Sequence, residues 1–305
     1  MEHQLGRTAG AVQSLADQNT PQMTEVTVAA PGPGEILIKV AAAAINPADL
    51  MISAGALREA FGLSATVGLG YDLSRVVVEA GPQVTDFAPG DQVVGLHDDL
   101  TAPVRGQAAL ARIPAAAAAH LPDGIDLTDV ASVPLNALTA DQGLDLLGES
   151  QGRSLLVTGA AGAVGGNVVA LAARRGWRVT GLARAGDEDF VRASGAVEFL
   201  TDLPSRTHDA VFDAAALQDT ALEAVVDGGA LLGVIPVQPV AGTRGINVSM
   251  VTVRADGPRL AALLDLVAEG TLPVRVAGQR PLADAAETYA EASRPGQRGR
   301  WLLIP

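Results

Sequence analysis

The chain has 305 residues, of which 48% are hydrophobic and 18% charged, so a folded core is expected in one large domain or two ordinary ones. The formal net charge of -13 argues against binding to nucleic acid or to an anionic membrane surface. The absence of cysteine excludes disulfides, a cysteine nucleophile and a cysteine-ligated zinc, and the four histidines lie in no metal-ligand spacing and are expected at the surface or in loops.

The chain shows no targeting or membrane-spanning pattern. Its N-terminal sequence, MEHQLGRTAG, lacks the basic and then apolar order of a signal peptide. No apolar run approaches the length needed to cross a bilayer. We therefore expect a cytoplasmic protein.

The first part of the chain has the pattern of short strands. A turn at Pro31 to Gly34 precedes an extended run from Glu35, in which apolar residues alternate. Turns at Gly81-Pro82 and Pro89-Gly90 then separate two further strands in SRVVVEAGPQVTDFAPGDQVVGL. Short strands separated by glycine and proline predict a small barrel-like domain.

After residue 122 strands and helices alternate. A helical spacing of apolar residues in DLTDVASVPLNALTADQGLDLL comes first. The predicted strands are 154–158, 178–182, 197–200, 210–213 and 230–235, and the predicted helices are 163–175, 187–194, 218–226 and 257–270. This alternation predicts an α/β domain with a doubly wound parallel sheet, and the chain is predicted to end in one helix and one apolar strand.

A glycine-rich turn lies between the first of these strands and its helix, in VTGAAGAVGGNVV. Ala160 stands where the G-x-G-x-x-G pattern has its first glycine, which requires only that the backbone avoid a positive φ there. Gly162 would let the backbone approach a pyrophosphate, Gly165 would let the helix pack closely on the strand, and the helix N-terminus would attract the anion. The pattern predicts a dinucleotide site; the alternative is a strand–helix turn that binds no ligand.

The next strand indicates which dinucleotide binds. A site that prefers NAD usually has an acidic residue at the end of this strand, where it holds the ribose hydroxyls. Here the end of the strand is neutral and Arg184 follows. An arginine can pair with a 2′-phosphate through two charge-assisted hydrogen bonds, which predicts NADP(H); the alternative is a solvated arginine.

Five stretches, in the same order along nearly the whole chain, resemble the zinc-independent medium-chain dehydrogenases/reductases, in their quinone oxidoreductase (zeta-crystallin-like) branch. They are GEILIKVAAAAINPADLMISAG, GLGYDLSRVVVEAGPQVTDFAPGDQVVGL, ASVPLNALTADQGL, VTGAAGAVGGNVVALAARRG and PLADAAETYAEASRPGQRGRWLLI. The resemblance implies a GroES-like β-barrel domain (1–121 and 273–305) and a Rossmann NADP-binding domain (122–272), with the active site in the cleft between them. It also implies a homodimer joined through the edge of the Rossmann sheet.

The chemistry implied by the resemblance is hydride transfer from NADPH to a small molecule, a quinone or an activated alkene such as an enone, without a metal. Asn46 would lie beside the nicotinamide and the substrate. The implied cofactor-binding residues are Thr139, Ala161, Gly162, Ala163, Val164, Gly165, Arg184, Gly233, Val234, Ile235 and Pro236. Hydride transfer asks the protein to orient the cofactor, exclude water and polarise the acceptor carbonyl.

The chain departs from the family in its tyrosines. Some quinone reductases have tyrosines shortly after the Asn-Pro segment, where this chain has Met51 and Leu57. Of the two tyrosines present, Tyr71 is the candidate proton donor, because its segment can border the cleft in the family. The alternative is that Tyr71 is a buried packing residue.

Two further departures concern arginines. Arg75 stands where the family usually has a glycine, and we expect it to pair with Asp72 or Glu79 or to extend to solvent. The loop LHDDLTAPVRGQAAL is polar and contains an arginine, which is compatible with a bulky polar substrate.

The sequence thus predicts an NADPH-dependent reductase of quinones or α,β-unsaturated carbonyls. A variant of this prediction is an enoyl reductase that acts on one biosynthetic intermediate. The alternative is a non-redox protein on the same scaffold, such as a cofactor-binding sensor, or a cyclase or lyase that uses the cleft.

Overall fold

A computed structural model of the chain describes residues 6–58, 60–63, 66–235 and 240–305. The strands are β1 (Arg7–Ser14), β2 (Pro21–Val28), β3 (Glu35–Ile45), β4 (Val67–Gly68), β5 (Asp72–Ala80), β6 (Gln92–Leu96), β7 (Leu110–Pro114), β8 (Ala118–His120), β9 (Ser154–Thr158), β10 (Arg178–Leu182), β11 (Glu198–Leu200), β12 (His208–Asp213), β13 (Val225–Gly233), β14 (Asn247–Met250), β15 (Val276–Pro281) and β16 (Arg300–Ile304). The α-helices are α1 (Pro47–Ser53), α2 (Pro134–Leu147), α3 (Ala163–Arg174), α4 (Glu188–Ala193), α5 (Gly257–Ala268) and α6 (Ala285–Ala292). None of the helices in the described ranges is both long and apolar enough to cross a bilayer.

The chain divides into two compact units. The first comprises Met1–Leu135, Arg254–Ala268 and Val274–Pro305, and the second comprises Asn136–Val253 and Glu269–Pro273. This division assigns residues 122–135 and 254–268 to the first unit, whereas the predicted domain limits assign them to the second. The predicted domain limits stay a prediction, because a division by compactness does not show which residues belong to each functional domain.

The first unit contains two β-sheets. One has the strand order β15-β16-β3-β5-β6-β8, with β7 also pairing with β3, and the other has the order β2-β1-β4. Ile36, Ile38 and Val40 lie together in one core cluster, as the predicted alternation requires, but Leu37 is also buried, in a second cluster, so only Lys39 of the opposite set is exposed. The predicted barrel is not closed among the described strands, since β15 and β8 are the two ends of the larger sheet's strand order and do not pair with each other.

The second unit contains one six-stranded parallel sheet in the order β11-β10-β9-β12-β13-β14. The predicted parallel sheet is therefore confirmed. Counted from β9, the order is 3-2-1-4-5-6, which is the doubly wound arrangement of dinucleotide-binding domains. The order reverses between β9 and β12, and ligands bind such sheets in the crevice at the carboxyl ends of the strands on either side of that point.

Most predicted elements of this region are present, with one exception. The predicted helix 218–226 is wrong, because residues Gln218–Ala224 form a short 3₁₀ helix and Val225 already begins β13. The backbone N–H groups of Leu217 and Gln218 donate to the Asp213 carboxylate. This side-chain acceptor holds the entry of the segment in a tight turn, and the β-branched Val225 and Val226 join the sheet.

Candidate cofactor and active sites

The glycine-rich turn connects β9 to α3 in the second unit. The positive φ that the turn needs falls on Gly159 (60°) and not on Ala160. This confirms that the turn tolerates an alanine at the first position of the pattern. The backbone N–H of Ala160 donates to the Leu182 oxygen at 3.1 Å, which fixes the turn against the end of β10.

The start of α3 approaches this turn so closely that only glycine fits. A Cβ on Gly165 would lie 2.1 Å from the Gly159 oxygen, and a Cβ on Gly162, the N-cap residue, would lie 3.1 Å from the same atom. The result is a backbone cradle at the N-terminus of a 12-residue helix. Its free N–H groups and the positive end of the helix dipole fit a dinucleotide pyrophosphate.

Strand register brings several predicted residues to one edge of the sheet. Leu182, Thr158, Asp213 and Gly233 are partners in neighbouring strands and form a row. Arg184 therefore follows the end of β10, and Val234 and Ile235 follow the end of β13, at the same edge as the glycine turn. Arg184 is exposed, as an arginine that pairs with a ligand phosphate would need to be.

The remaining predicted cofactor residues differ in accessibility. Thr139 lies in α2 and is 7% exposed. In the turn and the first part of α3 the structure buries Ala161, Ala163 and Gly165 and leaves Gly162 and Val164 half-buried. Gly233 is buried, and Val234 and Ile235 are half-buried. Pro236 lies outside the described residues.

Asp213, the last residue of β12, was not predicted from the sequence. It is buried, and its carboxylate accepts from the Thr158 hydroxyl at 2.6 Å and from the backbone N–H groups of Leu217 and Gln218 at 3.0 and 2.8 Å. Asp213 therefore fixes both sides of the point where the strand order reverses. An acidic residue at the carboxyl end of a predicted strand was the available signal.

Asn46, the predicted substrate-side residue, is fully buried in the first unit. Its amide nitrogen donates to Asp72 Oδ2 at 2.8 Å, and its amide oxygen accepts from Arg300 Nε at 2.8 Å. These two contacts fix which end of the amide is nitrogen and which is oxygen. Asn46 is thus an oriented side chain, and it is also the N-cap residue of α1.

Asp72 is also fully buried, and its second oxygen accepts from the Leu135 backbone N–H at 2.6 Å. Burial raises the pKa of Asp72 to about 7, while the hydrogen bonds from Asn46 and Leu135 oppose this rise. A second buried carboxylate, Asp49, accepts from the backbone N–H groups of Asn46 and Gly70, and burial raises its pKa as well. The segment around Asn46 is therefore held by two carboxylates.

Tyr71 lies one residue before Asp72 and is 8% exposed. The guanidinium carbon of Arg105 lies 4.1 Å from the centre of its ring. Burial raises the pKa of Tyr71 to about 12, and Arg105 opposes this rise. Arg105 itself is 1% exposed and donates through Nη2 to the His97 backbone oxygen at 2.9 Å.

Two histidines are buried, and one of them contradicts the expectation of surface or loop positions: His208 lies in strand β12, whereas His97 lies in the loop directly after β6. His97 and His208 are 6% and 5% exposed. Burial and the charge of Arg105 lower the pKa of His97 to about 3, so its ring is neutral near pH 7. His208 begins β12, where its hydrogen-bond partner is the neighbouring Thr207 hydroxyl.

The expectation for Arg75 is wrong. Arg75 is fully buried, and its three guanidinium nitrogens have no hydrogen-bond partner among the described residues. Asp72 is bonded to Asn46 and Leu135, and Glu79 pairs with Arg7. Because residues alternate along β5, Arg75 faces the same side as Leu73 and Val77, which belong to an apolar core cluster. Burial holds the pKa of Arg75 well below its usual range.

Comparisons with known proteins agree with this architecture. Residues 32–122 match the alcohol dehydrogenase GroES-like domain, and residues 185–303 match a zinc-binding dehydrogenase domain. The structure is similar to that of a quinone oxidoreductase from Coxiella burnetii, with a TM-score of 0.87 and 22% identity, covering 98% of this chain and all of that one. The chain therefore matches a GroES-like domain and a zinc-binding dehydrogenase domain, and it has the same fold as this structural neighbour.

Two curated relatives come from plants. The chain is 32% identical over 211 residues to 2-methylene-furan-3-one reductase of Solanum lycopersicum, a match that covers 65% of this chain and 54% of that protein. It is 29% identical over 286 residues to the chloroplastic NADPH-dependent alkenal/one oxidoreductase of Arabidopsis thaliana, covering 89% and 72% of the two chains. The chain thus matches only about half the length of the first of these relatives.

Proposed function

We propose that the protein is an NADP(H)-dependent oxidoreductase that reduces an α,β-unsaturated carbonyl compound or a quinone. The observation that carries this proposal is the backbone cradle at Gly159–Gly165. The cradle follows β9, where the strand order of the sheet reverses, and it lies beside the end of β10, which Arg184 follows. The two plant relatives support it, since one is named 2-methylene-furan-3-one reductase and the other NADPH-dependent alkenal/one oxidoreductase.

The second unit supplies the groups that would hold the cofactor. The N–H groups at the start of α3 would bind the pyrophosphate, and Arg184 would bind the 2′-phosphate. Thr139 and the residues after β13 would hold the nicotinamide part. When bound, NADPH supplies the hydride.

The first unit supplies the groups that would act on the acceptor. We propose that Asn46, fully buried and held by Asp72 and Arg300, positions the segment that lies beside the nicotinamide and the acceptor. Tyr71 stays protonated near neutral pH because burial raises its pKa to about 12, so its phenol holds a proton that the reduced acceptor can take.

The test is NADPH oxidation, followed by absorbance, with a panel of enones, enals and quinones, together with a direct measurement of NADPH binding. The proposal predicts saturable NADPH binding and turnover with at least one conjugated carbonyl compound. Binding without oxidation by any acceptor in the panel would contradict the redox function and favour a sensor or a non-redox enzyme on this scaffold.

Three further features belong to the proposal: a homodimer, a cytoplasmic location and chemistry without a metal. The lack of cysteine in the sequence supports the last, although the description of one matching domain names zinc. Molecular mass in solution tests the first, and elemental analysis of active protein tests the third. A monomeric mass, or stoichiometric zinc that activity requires, would contradict them.

A further inference from the structure

We propose that Arg105 is a positioning residue that holds the Tyr71 ring and keeps its phenol competent to donate a proton to the reduced acceptor. This inference rests on the proposed function for the proton transfer, whereas the coupling of the two side chains can be tested without it.

The geometry of Arg105 is that of a fixed side chain. Its guanidinium carbon lies 4.1 Å from the Tyr71 ring centre, within the range of a cation–π contact. Nη2 donates to the His97 oxygen at 2.9 Å, and Nη1 lies 3.5 Å from the Gly68 oxygen. A Cβ on Gly68 would lie 2.7 Å from the Arg105 backbone nitrogen, so strand β4 packs directly on this residue.

The position of the Arg105 charge matters because the surroundings of Tyr71 oppose loss of the phenol proton. Burial makes phenolate formation costly, and the carboxylates of Asp49 and Asp98 add to that cost. Among the groups that act on Tyr71, Arg105 is the one that lowers its pKa. A permanent positive charge over the ring stabilises the phenolate and therefore eases release of the proton.

The proton balance of the step is simple. Reduction of an enone adds one hydride, which NADPH provides, and one proton. The Tyr71 O–H bond breaks to supply that proton to the carbanion or enolate of the acceptor, and the Tyr71 phenolate then takes a proton from water. Arg105 stays protonated throughout and stabilises the transient phenolate.

The contact can be tested on the protein without cofactor, because the chain contains only two tyrosines. Tyr289, the second phenol, is buried and donates to Gln107 Oε1 at 2.7 Å, and burial holds its pKa well above its usual range. A rapid jump to alkaline pH, read by phenolate absorbance before the protein unfolds, gives the midpoint of Tyr71. A Tyr71→Phe variant identifies the signal.

The proposal predicts that Arg105→Met moves this midpoint upward by about one pH unit, as expected for loss of a buried cation–π contact. Arg105→Lys keeps a cation and should fall between the two. Arg112→Met, which removes an arginine that is 40% exposed and pairs with Glu35, is the control and should leave the midpoint unchanged. An unchanged or lowered midpoint in folded Arg105→Met would overturn the proposal.

A rate measurement tests the proton transfer itself. Arg105→Met should lower kcat about tenfold, with a smaller change in KM, and Arg105→Lys should restore part of the rate. In a Tyr71→Phe background the same change should cost nothing further. An equal loss of kcat in both backgrounds would show that Arg105 does not act through Tyr71. If the wild-type protein oxidises no NADPH, the proposed function is refuted, and the titration result still tests the contact between the two side chains.

Discussion

The interiors of the two units differ in the kind of side chain they bury. The first unit buries the charged residues Asp49, Asp72, Arg75 and Arg105, each at most 1% exposed. In the described part of the second unit, Asp213 is the buried carboxylate, and three hydrogen-bond donors satisfy it. The second unit presents a ligand site made mainly of backbone, whereas the first surrounds its candidate site with charge.

The two units should therefore respond differently to substitution and to pH. A backbone cradle depends on close approach, so added atoms should damage it more than altered charge. A buried charge costs several kcal/mol unless it is well paired, so the first unit should be sensitive to pH and to removal of charge. The predictions below test this contrast.

The largest effect is expected for Gly165→Ala in the second unit. The added methyl group would lie 2.1 Å from the Gly159 oxygen, a backbone atom that cannot move aside cheaply. Because overpacking of this kind costs about 1–3 kcal/mol, we expect NADPH binding to weaken roughly 100-fold and the melting temperature to fall. Gly186→Ala is the control, since a Cβ there meets nothing within 4 Å. Unchanged affinity in Gly165→Ala would refute the cradle.

In the first unit we expect Arg75→Met to increase stability. Methionine keeps an unbranched side chain of similar length and removes a buried charge that has no hydrogen-bond partner among the described residues. Replacing buried charge by apolar groups often stabilises a protein by about 1–4 kcal/mol. Urea unfolding measures the change, and Arg7→Met, at an exposed ion pair with Glu79, should change stability by less than about 1 kcal/mol. A less stable Arg75→Met would mean that Arg75 has a stabilising partner.

Asp72 should make stability depend on pH. The pKa of Asp72 is about 7 in the folded protein, compared with 3.8 for an ordinary aspartate in the unfolded chain. Between about pH 4 and pH 7 the unfolded chain therefore binds fewer protons than the folded protein, and the free energy of unfolding falls as the pH rises. His97, with a folded pKa of about 3 and a reference of 6.5, has the opposite effect over an overlapping range.

Asp72→Asn should therefore remove the falling contribution. Urea unfolding is measured at pH 5 and at pH 7. The change in the free energy of unfolding from pH 5 to pH 7 should be more positive in this variant than in the wild type, by up to about a few kcal/mol. Asp17→Asn, at an exposed position, is the control. Identical pH dependence in Asp72→Asn and the wild type would mean that Asp72 titrates normally.

The smallest effect is expected at Arg184, because it is exposed. Arg184→Ala should weaken NADPH binding roughly tenfold and leave NADH binding unchanged, since only the 2′-phosphate differs between the two. The ratio of the two dissociation constants measures this directly. An unchanged ratio would remove Arg184 from the cofactor site.

Local patterns in the sequence predicted most of the second unit. The strand at 154–158, the start of α3 and the glycine turn follow from apolar runs and glycine spacing, which are local signals. The predicted helix at 218–226 was wrong because the carboxylate of Asp213, which precedes that segment, accepts from the backbone N–H groups of Leu217 and Gln218 at its start.

The candidate site in the first unit was harder to predict because its contacts are distant in sequence. Asn46 binds Asp72, 26 residues away, and Arg300, 254 residues away. Arg105 and Tyr71 meet only because β4 packs against the loop that carries Arg105. The resemblance indicated Asn46 and Tyr71 but none of their partners. No local pattern indicated that Arg75 would be buried with no hydrogen-bond partner in the part of the chain that the structure describes.

Both proposals about the reaction require a nicotinamide dinucleotide at the N-terminus of α3. Calorimetric titration of NADPH and of NADH into the wild-type protein measures this binding. We expect saturable binding at one site per chain, tighter for NADPH than for NADH. No saturable binding of either dinucleotide would contradict both proposals.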